Sequence, residues 1–172
     1  MIRSISRPDG YAPLVGTWLG ALAESRDDLL SLLEDLTREE LHRRILPGCH
    51  SIAEILWHVA NVELWWVREV VLGEQIDPET RARFGLTVAG DLNTPPQDWG
   101  LDRFIGLMDE AYALTREVYR TFSDEAFRER PCRIPGREKR FTPEWIAYNL
   151  LDHVANHRGQ VAMIKRLLRE RG

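Results

Sequence analysis

Cysteine is scarce in this sequence: Cys49 and Cys132 are the whole supply, far apart and in no metal-type spacing. Two thiols in 172 residues do not make a secreted disulfide framework, so free thiols in a reducing cytoplasm are the expectation. Long apolar runs are missing too, and none approaches the roughly 20 uninterrupted residues of a membrane span. The run from Tyr11 to Leu22 follows Arg3 and Arg7 as a signal peptide's would, but Pro13, Gly16, Thr17 and Gly20 dilute it. Its apolar spacing continues through Leu29 and Leu33, so it reads as one amphipathic helix. Nor is there a basic excess: 23 basic residues face 27 acidic ones, for a net charge of −4. Nothing resembles the stripe that neutralises a nucleic-acid backbone. The basic stretch from Arg128 to Arg140 is broken by Glu, Pro and Gly and reads as a solvated loop. Strand-period alternation of useful length is absent, as is any internal repeat.

What the chain does contain is helical periodicity. With 44% apolar and 29% charged residues, it has the balance of a water-soluble globular protein, and its length suits a single domain over residues 1–172. A first helix is expected from about Tyr11 to Leu36. A second opens at Ser51, where Ser51 and Glu54 stand in the S-x-x-E relation of a capping box, and continues to about Leu72. Residues 73–98 read as a long loop. A third helix spans roughly Gln97 to Phe122, and Pro131 to Arg140 is irregular, with room for a short hairpin. The fourth opens at Thr142-Pro143-Glu144, a cap, a proline in the first turn and an acid at the positive end of the dipole, and runs to about Arg169. Four such helices predict an all-α, up-down four-helix bundle.

The histidines fall where the core should be. On the fourth helix the apolar stripe is Ile146, Leu150, Val154, Val161, Ile164 and Leu168, and His153 and His157 lie within it at i, i+4. On the second helix His58 adjoins the stripe of Ile55, Val59, Val62 and Trp66. Three imidazoles buried together need hydrogen bonds at every nitrogen, and protonation would make them repel. A divalent cation resolves both difficulties. A lone H-x-x-x-H is a weak signal, more often a plain core or surface pair; a third inward histidine on another helix strengthens it. His42 and His50 are poor ligand candidates, since His42 sits in a polar connection and His50 lies about 12 Å of helix from His58. Glu54, Asn149 and Gln160 are candidates to hydrogen-bond a ligating ring or a bound water, against the plainer role of helix-contact residues. Gly159, in mid-helix, suggests close approach of another backbone or a ligand. Trp57, Trp65 and Trp66 suit core or dimer packing, with a cavity lining as the alternative.

Two segments carry a family resemblance: Ser51-Ile-Ala-Glu-Ile-Leu-Trp-His58-Val-Ala-Asn-Val-Glu63, and His153-Val-Ala-Asn-His157-Arg158-Gly159-Gln160. In them the chain resembles the DinB/YfiT-like superfamily of metal-dependent enzymes, the second segment being the more specific. The resemblance implies a four-helix bundle, commonly a homodimer, with His58, His153 and His157 holding zinc, nickel or a similar ion. Asn156 stands where many relatives have another histidine, at a position that is not a ligand. Thiol-dependent S-transferases and a mycothiol-dependent isomerase among such relatives imply a low-molecular-weight thiol as co-substrate, acting on a small molecule. Three histidines leave a coordination position open, which suits a thiol-dependent transferase or a hydrolase. Glu54 and Glu63 are the general-base candidates by nearness in sequence, Glu63 at a poor angle to His58. Two other classes stay open: a non-catalytic metal- or small-molecule-binding stress-response protein, and a helical dimerisation module with structural core histidines.

Overall fold

The computed structural model describes residues 4–86 and 94–171, the last of these by its backbone alone. Four long helices dominate: α1 (Pro13–Ser31), α3 (Ile52–Trp65), α5 (Leu101–Arg120) and α7 (Pro143–Arg171). Between them lie the short helices α2 (Arg38–His42), α4 (Pro78–Phe84) and α6 (Asp124–Glu129), and a two-stranded antiparallel hairpin, β1 (Cys132–Arg133) with β2 (Arg140–Phe141). Among the described residues the regular structure is all helical apart from that hairpin. No described helix is long and apolar enough to cross a membrane.

The helix starts follow their caps. Ser51 and Glu54 form the reciprocal capping box at α3, and Thr142 Oγ1 accepts from Trp145 N at α7. Part of the expected 73–98 loop, residues 87–93, lies outside the described residues, but the described part is not all loop: it contains α4. The signal was in the sequence. Asp77 caps Thr80 N, Pro78 occupies the first turn, and Gly85 closes the helix at φ +66. A Cβ on Gly85 would sit 2.5 Å from the Trp57 ring. Gly85→Ala is therefore expected to cost about 2–4 kcal/mol, from left-handed strain plus overpacking, measured by urea unfolding. The third long helix begins at Leu101, later than the sequence suggested, because residues around Pro95-Pro96 stay non-helical.

Helix directions are read from their pairings. Along α1, Trp18 meets Glu144 and Asp28 meets Arg158, so α1 and α7 run parallel. His58 faces His153 while Trp66 faces Trp145, so α3 and α7 run antiparallel. Tyr11 bonds Arg116 and Arg26 bonds Asp109, so α5 opposes α1. It follows that α3 and α5 are parallel neighbours, and the long connection between them is what carries the chain back for a second pass in the same direction. The order of directions is up, down, down, up, rather than the simple alternation of an up-down bundle.

Arg26 and Glu63 form a buried charged pair inside the bundle. Each is 2% exposed. Arg26 Nη1 donates to Glu63 Oε2 at 3.3 Å, its Nη2 to Asp109 Oδ1 at 3.2 Å, and its guanidinium lies over the Tyr112 ring. Thr115 Oγ1 donates to the other Glu63 oxygen at 2.7 Å. At its C-terminal end α3 widens into a π-helical turn, Trp66–Val71. There Trp65 Nε1 donates to Glu69 Oε2, and Glu69 also pairs with Arg81.

Candidate metal centre

α3 supplies one histidine and α7 two, and the antiparallel seam brings all three together. His153 Nε2 lies 3.1 Å from His58 Nε2 and 3.1 Å from His157 Nε2. The three donor atoms lie within 4.8 Å of one another. All three rings are half-buried.

Proton counting shows what this arrangement suits. Gln160 Oε1 stands 2.9 Å from His157 Nδ1, so that nitrogen carries the proton and His157 Nε2 is left as a lone pair. His153 Nε2 holds either a proton or a lone pair, never both. At best one proton then serves three nitrogens drawn to hydrogen-bond distance. A cation uses every lone pair at once. The 3.1 Å spacings are close to the roughly 3.3 Å that two nitrogens at about 2.0–2.1 Å from a tetrahedral zinc would have. The donor set fits a divalent metal.

Electrostatics agree. Burial, then the neighbouring His157 and His50, pushes His58 down to about 4. Burial, then His157 and His58, pushes His153 down to about 3. His157 is also lowered, chiefly by burial and against the pull of Gln160. Neutral rings are the form that ligates. His50 is exposed and makes no shared contact with the three nitrogens, yet its charge is felt at His58 and His157. Sequence distance along the helix did not reveal this.

The other candidates separate. Gln160 is in place beside His157. Glu54 is not turned to the histidines: it accepts from Ser51 N, pairs with Arg44 through both oxygens and receives Thr94 Oγ1. Arg44 and Ser51 hold its carboxyl below the usual range against the opposing effect of burial. Glu63 is spoken for by Arg26 and Thr115 on the opposite side of α3, with burial pushing its carboxyl up. Neither carboxylate serves as a base at the histidines in this arrangement. Asn149 is half-buried one turn before His153 and enters none of the hydrogen bonds that hold the rings. No other part of the described chain comes within 4 Å of a Cβ built on Gly159, so the close backbone approach suggested there is absent. His42 is engaged elsewhere, its Nε2 lying 2.8 Å from Trp99 O. Trp57 packs in the core, whereas Trp65 and Trp66 join an aromatic cluster with Phe141 and Trp145.

The buried pairing of Arg26 with Glu63 was missed in the sequence, where Glu63 figured only as a general-base candidate. Their signal was a charge within each apolar stripe: Arg26 between Leu22 and Leu29, Glu63 between Val59 and Val67.

Comparison with known proteins places this geometry in context. Residues 17–171 match the family model of mycothiol-S-transferase. The uncharacterized protein YkkA of Bacillus subtilis (strain 168) is 23% identical over 169 residues, covering 96% of this chain and 94% of that protein. The crystal structure of a conserved protein from Enterococcus faecalis superposes with a TM-score of 0.66 at 16% identity, covering 87% of this chain and 94% of the other. That likeness shows the fold alone.

Proposed function

The chain belongs to the mycothiol-S-transferase family, of DinB/YfiT-like kind, and from that membership we infer a metal-dependent enzyme that transfers a low-molecular-weight thiol to a small electrophile. The convergence of three histidine Nε2 atoms on one point carries this reading. His58, His153 and His157 would hold the ion, zinc or nickel by the preference of imidazole donors. When bound, such an ion supplies Lewis acidity that lowers the pKa of a thiol in the position the three histidines leave open.

The protein's own residues prepare that chemistry. Burial keeps the rings neutral, so they present lone pairs without first shedding protons. Gln160 fixes the His157 tautomer, directing its Nε2 lone pair to the common point. In the reaction the thiol sulfur forms a bond to an electrophilic carbon. The bond from that carbon to its leaving group breaks with both electrons going to the leaving group, and the thiol proton passes to solvent.

Elemental analysis of the purified protein is expected to find about one divalent ion per chain, by the one-site donor count. A panel of thiols that includes mycothiol, with a chloronitroaromatic electrophile, is expected to give thiol-dependent turnover. A metal-free preparation that stays metal-free on incubation with zinc or nickel would remove the basis of the reading. A filled site with no turnover on any thiol would make this a binding protein, and ester cleavage without thiol would make it a hydrolase.

A further inference from the structure

A hollow lies at the start of α7, between the hairpin and the end of α6. Trp66 follows His58, and Trp145 precedes His153, by the same two turns, about 12 Å of helix. There the Phe141 and Trp145 rings pack at 4.5 Å between centroids, inclined by 39°, and Trp66 closes on both, at 5.3 and 5.8 Å. Beside them is a hollow of about 410 Å³, which Phe141, Trp145, Lys139, Arg140 and Glu129 help to line. That volume is within the roughly 300–1,000 Å³ of small-molecule sites. Phe141 belongs to the buried core, whereas Trp145 is 39% exposed, so the Trp145 ring is the part of the cluster that a ligand can cover.

The charge around it is unbalanced. Lys139 Nζ sits 5.2 Å from the Phe141 ring centre. Arg140 stands directly opposite Arg133 in the hairpin ladder, and like charges so placed repel. The ion pairs among the described residues leave out Arg133, Lys139 and Arg140. Glu129 is the hollow's single carboxylate against two cations. An anion relieves the repulsion and a flat ring covers Trp145. A second copy docked through a two-fold axis would instead bring these same cations toward one another.

We propose that this hollow binds a small planar aromatic anion, a carboxylate or sulfonate, with its ring on Trp145 and its charge at Lys139 and Arg140. The site does not depend on the metal reading. The test uses the full chain and three probes in calorimetric titration: naphthalene-2-sulfonate, the neutral naphthalene-2-methanol, and methanesulfonate, which has charge but no ring. Naphthalene-2-sulfonate is expected to bind once per chain, at least about tenfold tighter than either relative, the factor of one charge-assisted contact. Lys139→Ala with Arg140→Ala should reduce it to the level of the neutral probe, and Trp145→Ala should weaken both aromatic probes. His157→Ala should leave binding unchanged, which separates this site from the metal centre. Equal affinity for the neutral probe, or full sulfonate affinity in the double variant, overturns the proposal. So does self-association that Trp145→Ala abolishes in a protein that ignores the sulfonate, because the face then belongs to a second copy.

Discussion

Replacing His153 with alanine is expected to strip the ion from the protein and to lower thiol-transfer turnover by more than about a thousandfold. The reason lies in its position. His153 Nε2 is the nitrogen 3.1 Å from both of the others. Without it, His58 and His157 remain on different helices with no third donor between them, and two imidazoles hold zinc far less tightly than three. Gln160→Ala should do much less, about 10–100-fold in affinity or rate, the usual loss when the partner of a ligating histidine goes. It frees His157 Nδ1 and lets the ring choose the wrong tautomer, while every ligand remains. Elemental analysis after dialysis, alongside turnover, measures both effects. Wild-type metal content in His153→Ala would show that the three nitrogens do not share an ion.

The largest effect on stability is expected from Arg26→Met, which strands Glu63 as a buried carboxylate. Breaking one partner of a buried pair costs about 3–5 kcal/mol, and for a chain of this length each kcal/mol moves Tm by about 2–4 °C. The pH dependence has a definite sign. Burial already raises Glu63 above its ordinary 4.5, with Arg26 the first influence holding it down. Without Arg26 the carboxyl rises further. A folded-state value above the unfolded one means the penalty is absent below about pH 4.5, where both states are protonated. It grows as pH rises above the unfolded value and is complete once pH has passed the folded one. Urea unfolding at pH 5 and pH 8 should therefore show the variant much closer to wild type at the lower pH. A pH-independent penalty would mean that lost packing over Tyr112, rather than stranded charge, is the cause. Adding Glu63→Leu should recover most of the loss, since an apolar pair of similar volume replaces a buried ion pair at little cost.

The long helices and the three histidines were legible because both depend on local periodicity. A stripe that includes His153 and His157 must point them inward, and Ser51 with Glu54 announces a helix start wherever the chain later packs. The same locality explains the misses. Glu54 belongs to its cap and to Arg44, and nothing within α3 says that an arginine from the preceding loop will claim it. The parallel course of α3 and α5 is a property of the connection between them, whose α4 segment was hidden by its prolines and glycines. The π-helical turn at Trp66 leaves the apolar spacing nearly intact, so periodicity passes over it. Gly159 was a fair reason to look for a close neighbour, but helices also carry glycine on an open face.

His58 and His153 stand 95 positions apart, and that separation sets a schedule. A ribosome adding about 5–20 residues per second leaves His58 waiting several seconds or more for its partners to emerge. During that interval α3 has no α7 against which to lay its histidine face. On the metal-binding reading proposed above, loading would be one of the last events in the maturation of a newly made molecule, a seal on chains whose final long helix has docked.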